Sequence, residues 1–250
     1  MPTRSASTCA TQVSAAPLCP AFSALAKQLS RTDNPTGAIA DPVALREFVI
    51  AAAKRCPVMV DEAYLECSDD FEANTMAPLA RDGHDVIVVR TFSKVYGLAG
   101  LKVGYGLTGP AERCRQLNEY AEPRVGYART GLVAAIASLG DDGYVERTRL
   151  KIKAERDKVL ALLDSFQLPY AQPQANFVFF QHPGISTQDF RARMEEDGIS
   201  VARDFPPYLD WCRLSIGAPD EMELARASIA RILSEVVGEN AAVSAESARL

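Results

Sequence analysis

The stretch Arg90–Gly106, RTFSKVYGLAGLKVGYG, decides how the rest of the chain is read. Four β-branched apolar residues, Val86, Ile87, Val88 and Val89, stand just before it. An unbroken run of that kind predicts a strand buried on both faces, so Lys94 falls just past the end of a buried strand. Thr91 and Ser93 flank the lysine with hydroxyls. Gly97 and Gly100 then predict a turn whose backbone passes close to a bulky group, such as a phosphate.

A lysine beyond a strand end is ordinarily a solvated surface charge, but its neighbours argue for chemistry. The pattern T-F-S-K-x-x-G-L-A-G-L-K-x-G-Y resembles the lysine segment of fold-type I pyridoxal-phosphate (PLP) aminotransferases, in the branch of histidinol-phosphate aminotransferase. The resemblance implies an α/β protein of the PLP-dependent transferase fold type I, with a partial large domain carrying a mostly parallel sheet and a C-terminal α+β small domain. It implies PLP as cofactor, with Lys94 as the residue that holds it covalently and moves the proton.

Composition agrees with an ordinary soluble globular chain. The chain has 250 residues, of which 48% are hydrophobic, enough for one large or two smaller cores. Its net charge of −5 comes from interspersed acids and bases, which argues against a nucleic-acid partner. The six cysteines form no CxxC pair, so reduced thiols and a cytoplasmic location are expected. His84 and His182 lie far apart without metal-ligand spacing, so no zinc site is expected and both histidines read as surface loop residues. Pro17 and Pro20 interrupt the opening stretch, which lacks a secretory pattern. No apolar run approaches a bilayer's thickness.

Taken in order, residues 1–33 read as an irregular segment, with a short amphipathic helix over Ala21 to Leu29 as its one candidate element. Asn34-Pro35-Thr36-Gly37 is a turn. Asp41-Pro42 opens a helix to about Cys56 with Val43, Leu45, Phe48, Val49 and Ala52 on one face. Pro57 to Tyr64 reads as a short buried strand ending in carboxylates, followed by a polar loop to Asp85. Val103 to Leu107 reads as a further strand, and Pro110 starts a helix through Tyr120. The pattern is helical from Gly126 to Phe166 with a break at Gly140 to Gly143, and its second half is long enough to bridge two domains. A strand Asn176 to Phe180, a helix Thr187 to Asp197, short strands near Ile199 and Trp211 to Ile216, and a helix Asp220 to Val237 follow. The expected division is 1–33, a partial PLP-binding large domain 34–143, a small domain 144–238 and a frayed tail 239–250.

PLP chemistry needs a lysine, an acid that keeps the ring nitrogen protonated, donors to the ring hydroxyl and groups that hold the phosphate. The resemblance supplies a candidate for each. Asp61 in D-E-A-Y matches the family's aspartate for the ring nitrogen, and Tyr64 matches the tyrosine that bonds the ring hydroxyl. Asn34 of NPTG matches the asparagine that contacts the same oxygen. Thr91 and Ser93 match phosphate-binding hydroxyls. Lys102 stands where the family places an arginine for the same phosphate, keeping the charge but not the two-pronged fork. Arg213 in W-C-R-L-S-I-G matches the arginine that clamps the substrate carboxylate, and Gln174-Ala175-Asn176-Phe177 resembles the branch's small-domain segment. By itself each residue has a plainer reading: a turn, a strand-end acid, a surface cation.

Two rival motifs fail. Val58-Met59-Val60-Asp61-Glu62 imitates a nucleotide-hydrolase strand, but no G-x-x-x-x-G-K-[ST] accompanies it. Gly104 to Gly109 matches G-x-G-x-x-G without the downstream strand and acid that a dinucleotide fold needs. The resemblance covers roughly residues 34–235, and residues 1–33 show no counterpart of the family's glycine-rich phosphate loop. Its implications are a transaminase acting on an amino acid or amino-acid phosphate and a 2-oxo acid, working as a homodimer, with neither nucleic acid nor membrane as partner. Alternatives with the same motifs are a PLP decarboxylase of amino-acid phosphates and a remnant or binding module without turnover. On this reading the chain alone binds PLP weakly, and its strands Val58 to Asp61 and Val86 to Arg90 lack sheet neighbours.

Overall fold

The computed structural model describes residues 8–9, 27–120, 128–182 and 184–247. The part of the Ala21 helix before Lys27, and Gly126, lie outside the described residues. The chain divides into two compact units, residues 1–32 with 39–149 and residues 33–38 with 150–250. The NPTG turn, grouped with the large domain from sequence, belongs to the second unit.

In the first unit, β3 (Val58–Asp61) and β4 (Val86–Thr91) pair in parallel, with Val58 opposite Val86 and Asp61 opposite Val89. Val58, Val60, Val86 and Val88 are fully buried, as the apolar runs predicted. Strand β5 (Gly104–Thr108) lies antiparallel to β4. Gly104 is required there, because a Cβ on it would stand 2.8 Å from the Arg90 carbonyl oxygen. Strand β1 (Thr8–Cys9) lies antiparallel to β5, and β2 (Lys27–Ser30) lies parallel to β3. The order is β1-β5-β4-β3-β2, and β5 runs against the others.

Strand β2 corrects two expectations. Residues 27–29 are strand rather than helix, and β3 and β4 have neighbours on both sides. The backbone edge of β3 satisfies its hydrogen bonds with any extended segment whose apolar residue faces inward, and Leu29 packs against the Val58 and Val60 core. Helix α1 (Pro42–Ala53) is capped by Asp41, whose side chain accepts from Ala44 N–H at 2.8 Å. Its core stripe is Leu45, Val49, Ala52 and Ala53. Val43 and Phe48 fall outside that stripe and are exposed, contrary to the single face read from sequence.

The segment after β3 is not the polar loop expected. It forms a 3-10 turn (Leu65–Cys67) and two short helices, α2 (Phe71–Asn74) and α3 (Ala77–Arg81). Leu65, Cys67 and Met76 are fully buried. Glu62 draws the segment inward, its carboxylate accepting from Met76 N–H at 2.6 Å. Helices α4 (Ala111–Tyr120) and α5 (Arg129–Leu139) follow β5. The first turn of α5 closes on the loop before β5, since a Cβ on Gly131 would stand 2.7 Å from Val103 Cγ2.

Helix α6 (Tyr144–Ser165) contains the division between the units. In the second unit β6 (Phe177–Gln181) pairs antiparallel with β7 (Trp211–Ser215). Val178, Phe180, Cys212 and Leu214 turn to one face, where α6, α7 (Thr187–Glu196) and α8 (Pro219–Ser247) supply Leu163, Phe190, Ile229 and Ile232. No strand forms at Ile199. Its N–H instead donates to Met194 O as the chain leaves α7 through Gly198 at φ +78°, so the amide a ladder needs is spent on the helix end. Helix α8 runs through Ser247 where a frayed tail was expected. Ala241, Ala242 and Ala245 favour helix there, and no proline stops it. His182 is fully buried rather than on a surface loop, its ring parallel to Phe190 at 4.7 Å between centroids. Cys56, Cys67, Cys114 and Cys212 are not joined in disulfides among the described residues.

Candidate active site

Parallel strands in open α/β sheets deliver their functional groups at their C-terminal ends, and in the first unit those ends carry the predicted residues. Asp61 closes β3, and its Oδ1 accepts from Ala63 N–H at 2.9 Å, which fixes the carboxylate in the turn. Tyr64 follows in that turn. From β4 the chain brings Lys94 over it, with Nζ 4.6 Å from the centre of the Tyr64 ring. The two strand ends thus converge, with the ammonium on the phenol's π-face.

Thr91 ends β4, and its Oγ1 donates to Ser93 Oγ at 2.9 Å while accepting from Ser93 N–H at 3.0 Å. The hydroxyl pair holds the backbone open at Phe92, whose N–H donates to Val103 O. Gly97 turns the loop at φ +69°, and a Cβ there or at Gly100 would meet nothing within 4 Å. Lys102 is exposed and left-handed at φ +52°. A carboxylate, a phenol, an ammonium, two hydroxyls and a second ammonium are therefore gathered around two strand ends and one glycine-rich turn. That donor set fits PLP: an acid for a ring nitrogen, a phenol for a ring hydroxyl, an amine for an aldehyde carbon, and hydroxyls with a cation for a phosphate.

The second unit brings Asn34 and Arg213 together, although 179 positions separate them: Arg213 Nη1 donates to Asn34 Oδ1 at 2.7 Å. The NPTG turn is closed by Gly37 N–H donating to Asp33 O, with Gly37 at φ +73°. Gln174 N–H donates to Gly37 O and so ties the turn to the segment before β6. The Arg213 guanidinium lies 5.1 Å from the Phe177 ring and 5.3 Å from the Phe205 ring. Its Nε is buried with no hydrogen-bond partner among the described residues, and none of them gives it a carboxylate. The result is a positive charge held in place but not neutralised.

Sequence reasoning missed three neighbours of these residues. Phe177 was noted only within a motif, and Phe205 not at all. Arg203 lies 4.7 Å from the same Phe205 ring that carries Arg213. The Arg203-Asp204-Phe205 run in a loop ahead of a strand was the signal available. Elsewhere in the first unit, burial pushes the Glu66 carboxyl up to about 7, against the pull of the Arg90 guanidinium. Among the described residues no group of three or more potential metal ligands occurs, and no helix is long and apolar enough to cross a membrane.

This sheet, with its lysine and acid at adjacent strand ends, is that of a class I and II aminotransferase: the model of that family matches residues 30–229, and the chain belongs to it. A histidinol-phosphate aminotransferase of Limosilactobacillus fermentum is 34% identical over 203 residues, covering 81% of this chain and 55% of that protein. Histidinol-phosphate aminotransferase 1 of Psychrobacter arcticus is 35% identical over 204 residues, covering 78% and 52%. The crystal structure of histidinol-phosphate aminotransferase from Sinorhizobium meliloti in complex with pyridoxal-5'-phosphate superposes with a TM-score of 0.70 at 29% identity, over 84% of this chain and 58% of that one. The chain spans about half the length of the curated relatives it matches.

Proposed function

We propose that this chain carries the lysine-bearing part of a PLP-dependent transaminase, moving an amino group between an amino acid or amino-acid-derived phosphate of the histidinol-phosphate type and a 2-oxo acid. The observation that carries this reading is the convergence of Lys94 on Tyr64 beside Asp61 at the ends of β3 and β4. When bound, PLP supplies an electron-withdrawing ring that stabilises negative charge at the donor's α-carbon.

The protein's own residues do the rest. Asp61, anchored through one oxygen, keeps a proton on the ring nitrogen by offering it a charge partner. Tyr64 would donate its hydroxyl hydrogen to the ring oxygen, the contact that the resemblance also assigns to Asn34. Lys94 would hold the cofactor at its aldehyde carbon, and its amine is placed to move the proton at the donor's α-carbon. Thr91, Ser93 and Lys102 hold the phosphate, Lys102 as a point charge rather than a fork. Arg213 holds the donor's anionic group, a task suited to a guanidinium that is buried at Nε and unpaired with any carboxylate among the described residues. The working form on this reading is a cytoplasmic homodimer.

The test is PLP titration into the 250-residue chain and into Lys94→Ala, followed by assay with histidinol phosphate, aromatic and aliphatic donors. Support is a visible cofactor band in the wild type that Lys94→Ala lacks, with the amino group recovered on the 2-oxo acid. An identical spectrum in both proteins sinks the reading, and carbon dioxide release in place of amino transfer makes it a decarboxylase.

A further inference from the structure

The residues facing away from the site are as specific as those facing it. Successive side chains of a strand point to opposite sides. Asp61 is followed by Glu62, and Arg90 precedes Thr91, so the two proposed cofactor contacts each have a charged neighbour on the opposite face. Glu62 is fully buried. Its Oε2 accepts from Arg90 Nε at 3.0 Å and lies 2.9 Å from Arg90 Nη2. Thr75 completes the ring, donating its hydroxyl to the Glu62 carboxylate and accepting from Arg90 Nη2 at 2.8 Å.

The network reaches across the sheet. Past the end of β2, Arg31 is 1% exposed and donates to Asn74 O at 2.9 Å, and to Asn74 Oδ1 and Ala40 O. On the β4 side Arg90 stands opposite Tyr105 of β5, and its guanidinium lies 4.8 Å from the Phe71 ring. Residues 71–75 thereby bind cations at the ends of both β2 and β4.

We propose that the buried Glu62–Thr75–Arg90 network is a positioning clamp that fixes Asp61 and Thr91, and through them the Lys94 turn, from the far side of the sheet. The proposal rests on the PLP reading only for what the clamp serves. Its physical content is local: two strand ends are locked together by a desolvated ion pair, and such a pair has few alternative geometries. Glu62, Thr75 and Arg90 are positioning residues rather than catalytic ones.

Two amides report the clamp without any cofactor. Ala63 N–H is held by Asp61 Oδ1, and Ser93 N–H is held by Thr91 Oγ1. In Glu62→Gln, hydrogen exchange at Ala63 and Ser93 should accelerate by at least about tenfold more than at the strand-interior amides of Val60 and Val88. Thr75→Val, which keeps the ion pair and removes only the hydroxyl, should show the same selectivity at about threefold, and it decides the matter where Glu62→Gln does not fold. Acceleration at Ala63 and Ser93 no greater than at Val60 and Val88 overturns the proposal, because it means general loosening. In a second arm, PLP affinity should fall about tenfold or more in Glu62→Gln, and a foldable Glu62→Gln chain with wild-type affinity overturns the link to the site. A wild-type chain that takes up no PLP fails the functional reading instead, and leaves the exchange result standing.

Discussion

The two units each hold an arginine beside a hydrophobic sheet, and they hold it in opposite ways. In the first unit Arg90 is neutralised: the Glu62 carboxylate meets it at 2.9 Å, and both are largely removed from water. In the second unit Arg213 meets an amide oxygen and two aromatic rings, none of which carries a charge. An ion pair consumes a guanidinium's charge, whereas rings and amides orient it and leave the charge for a ligand. The difference teaches how to sort the cations of this chain. On the proposed reading Arg90, set against a buried acid, is framework, and Arg213, cradled by rings with a nitrogen unsatisfied, is the binding group.

Truncating each arginine's environment is the largest test of that contrast. Glu62→Ala leaves Arg90 buried without its carboxylate and should cost the first unit about 3–5 kcal/mol, measured by urea denaturation with amide exchange at Val88 as the local probe. Arg213→Met should cost about 1 kcal/mol or less while abolishing saturation by the amino donor. Equal stability losses in the two variants would break the comparison.

The second unit should depend on apolar packing where the first depends on charge. Phe190 is fully buried, in edge contact with Phe180 at 6.1 Å and stacked on His182. Phe190→Ala should destabilise this unit by about 3–5 kcal/mol. Trp211, the chain's single tryptophan, lies in β7 and reports the transition by fluorescence.

The buried titratable groups give the units opposite responses to pH. Burial raises the Glu66 carboxyl from 4.5 to about 7. Its contribution to first-unit stability is therefore full below 4.5 and lost as pH rises through about 7. Burial lowers the His182 imidazole below its ordinary 6.5, so its contribution is full above 6.5 and lost as pH falls below that value. Urea midpoints against pH should lose their decline above 4.5 in Glu66→Gln, and the Trp211 transition should lose its decline below 6.5 in His182→Phe.

The smallest effect concerns an exposed cation. Lys102→Arg should tighten PLP binding about two- to fivefold, because a planar fork grips two phosphate oxygens where an ammonium offers a point charge. Unchanged or weaker affinity in a PLP titration removes Lys102 from the phosphate site.

Much of this molecule was legible because the relevant physics is local. The runs Val58–Asp61 and Val86–Thr91 announce buried strands by composition, Asp41-Pro42 announces a helix start by capping chemistry, and Gly97 and Gly100 announce a turn by conformational freedom. The motifs NPTG, DEAY, TFSK and RLSIG, in that order, point to the family by their wording alone. Those features depend on residues within a turn or a strand of one another.

Tertiary structure alone decided the rest. Lys27–Ser30 is a strand because β3 offers it an edge, and His182 is buried because Phe190 covers it. That Arg90 meets a carboxylate and Arg213 an amide oxygen depends on partners 28 and 179 positions away. Sequence determined which charged groups this chain carries in its strands; only the fold, by bringing a buried acid to one arginine and two rings to the other, decided which of them is paired with a carboxylate.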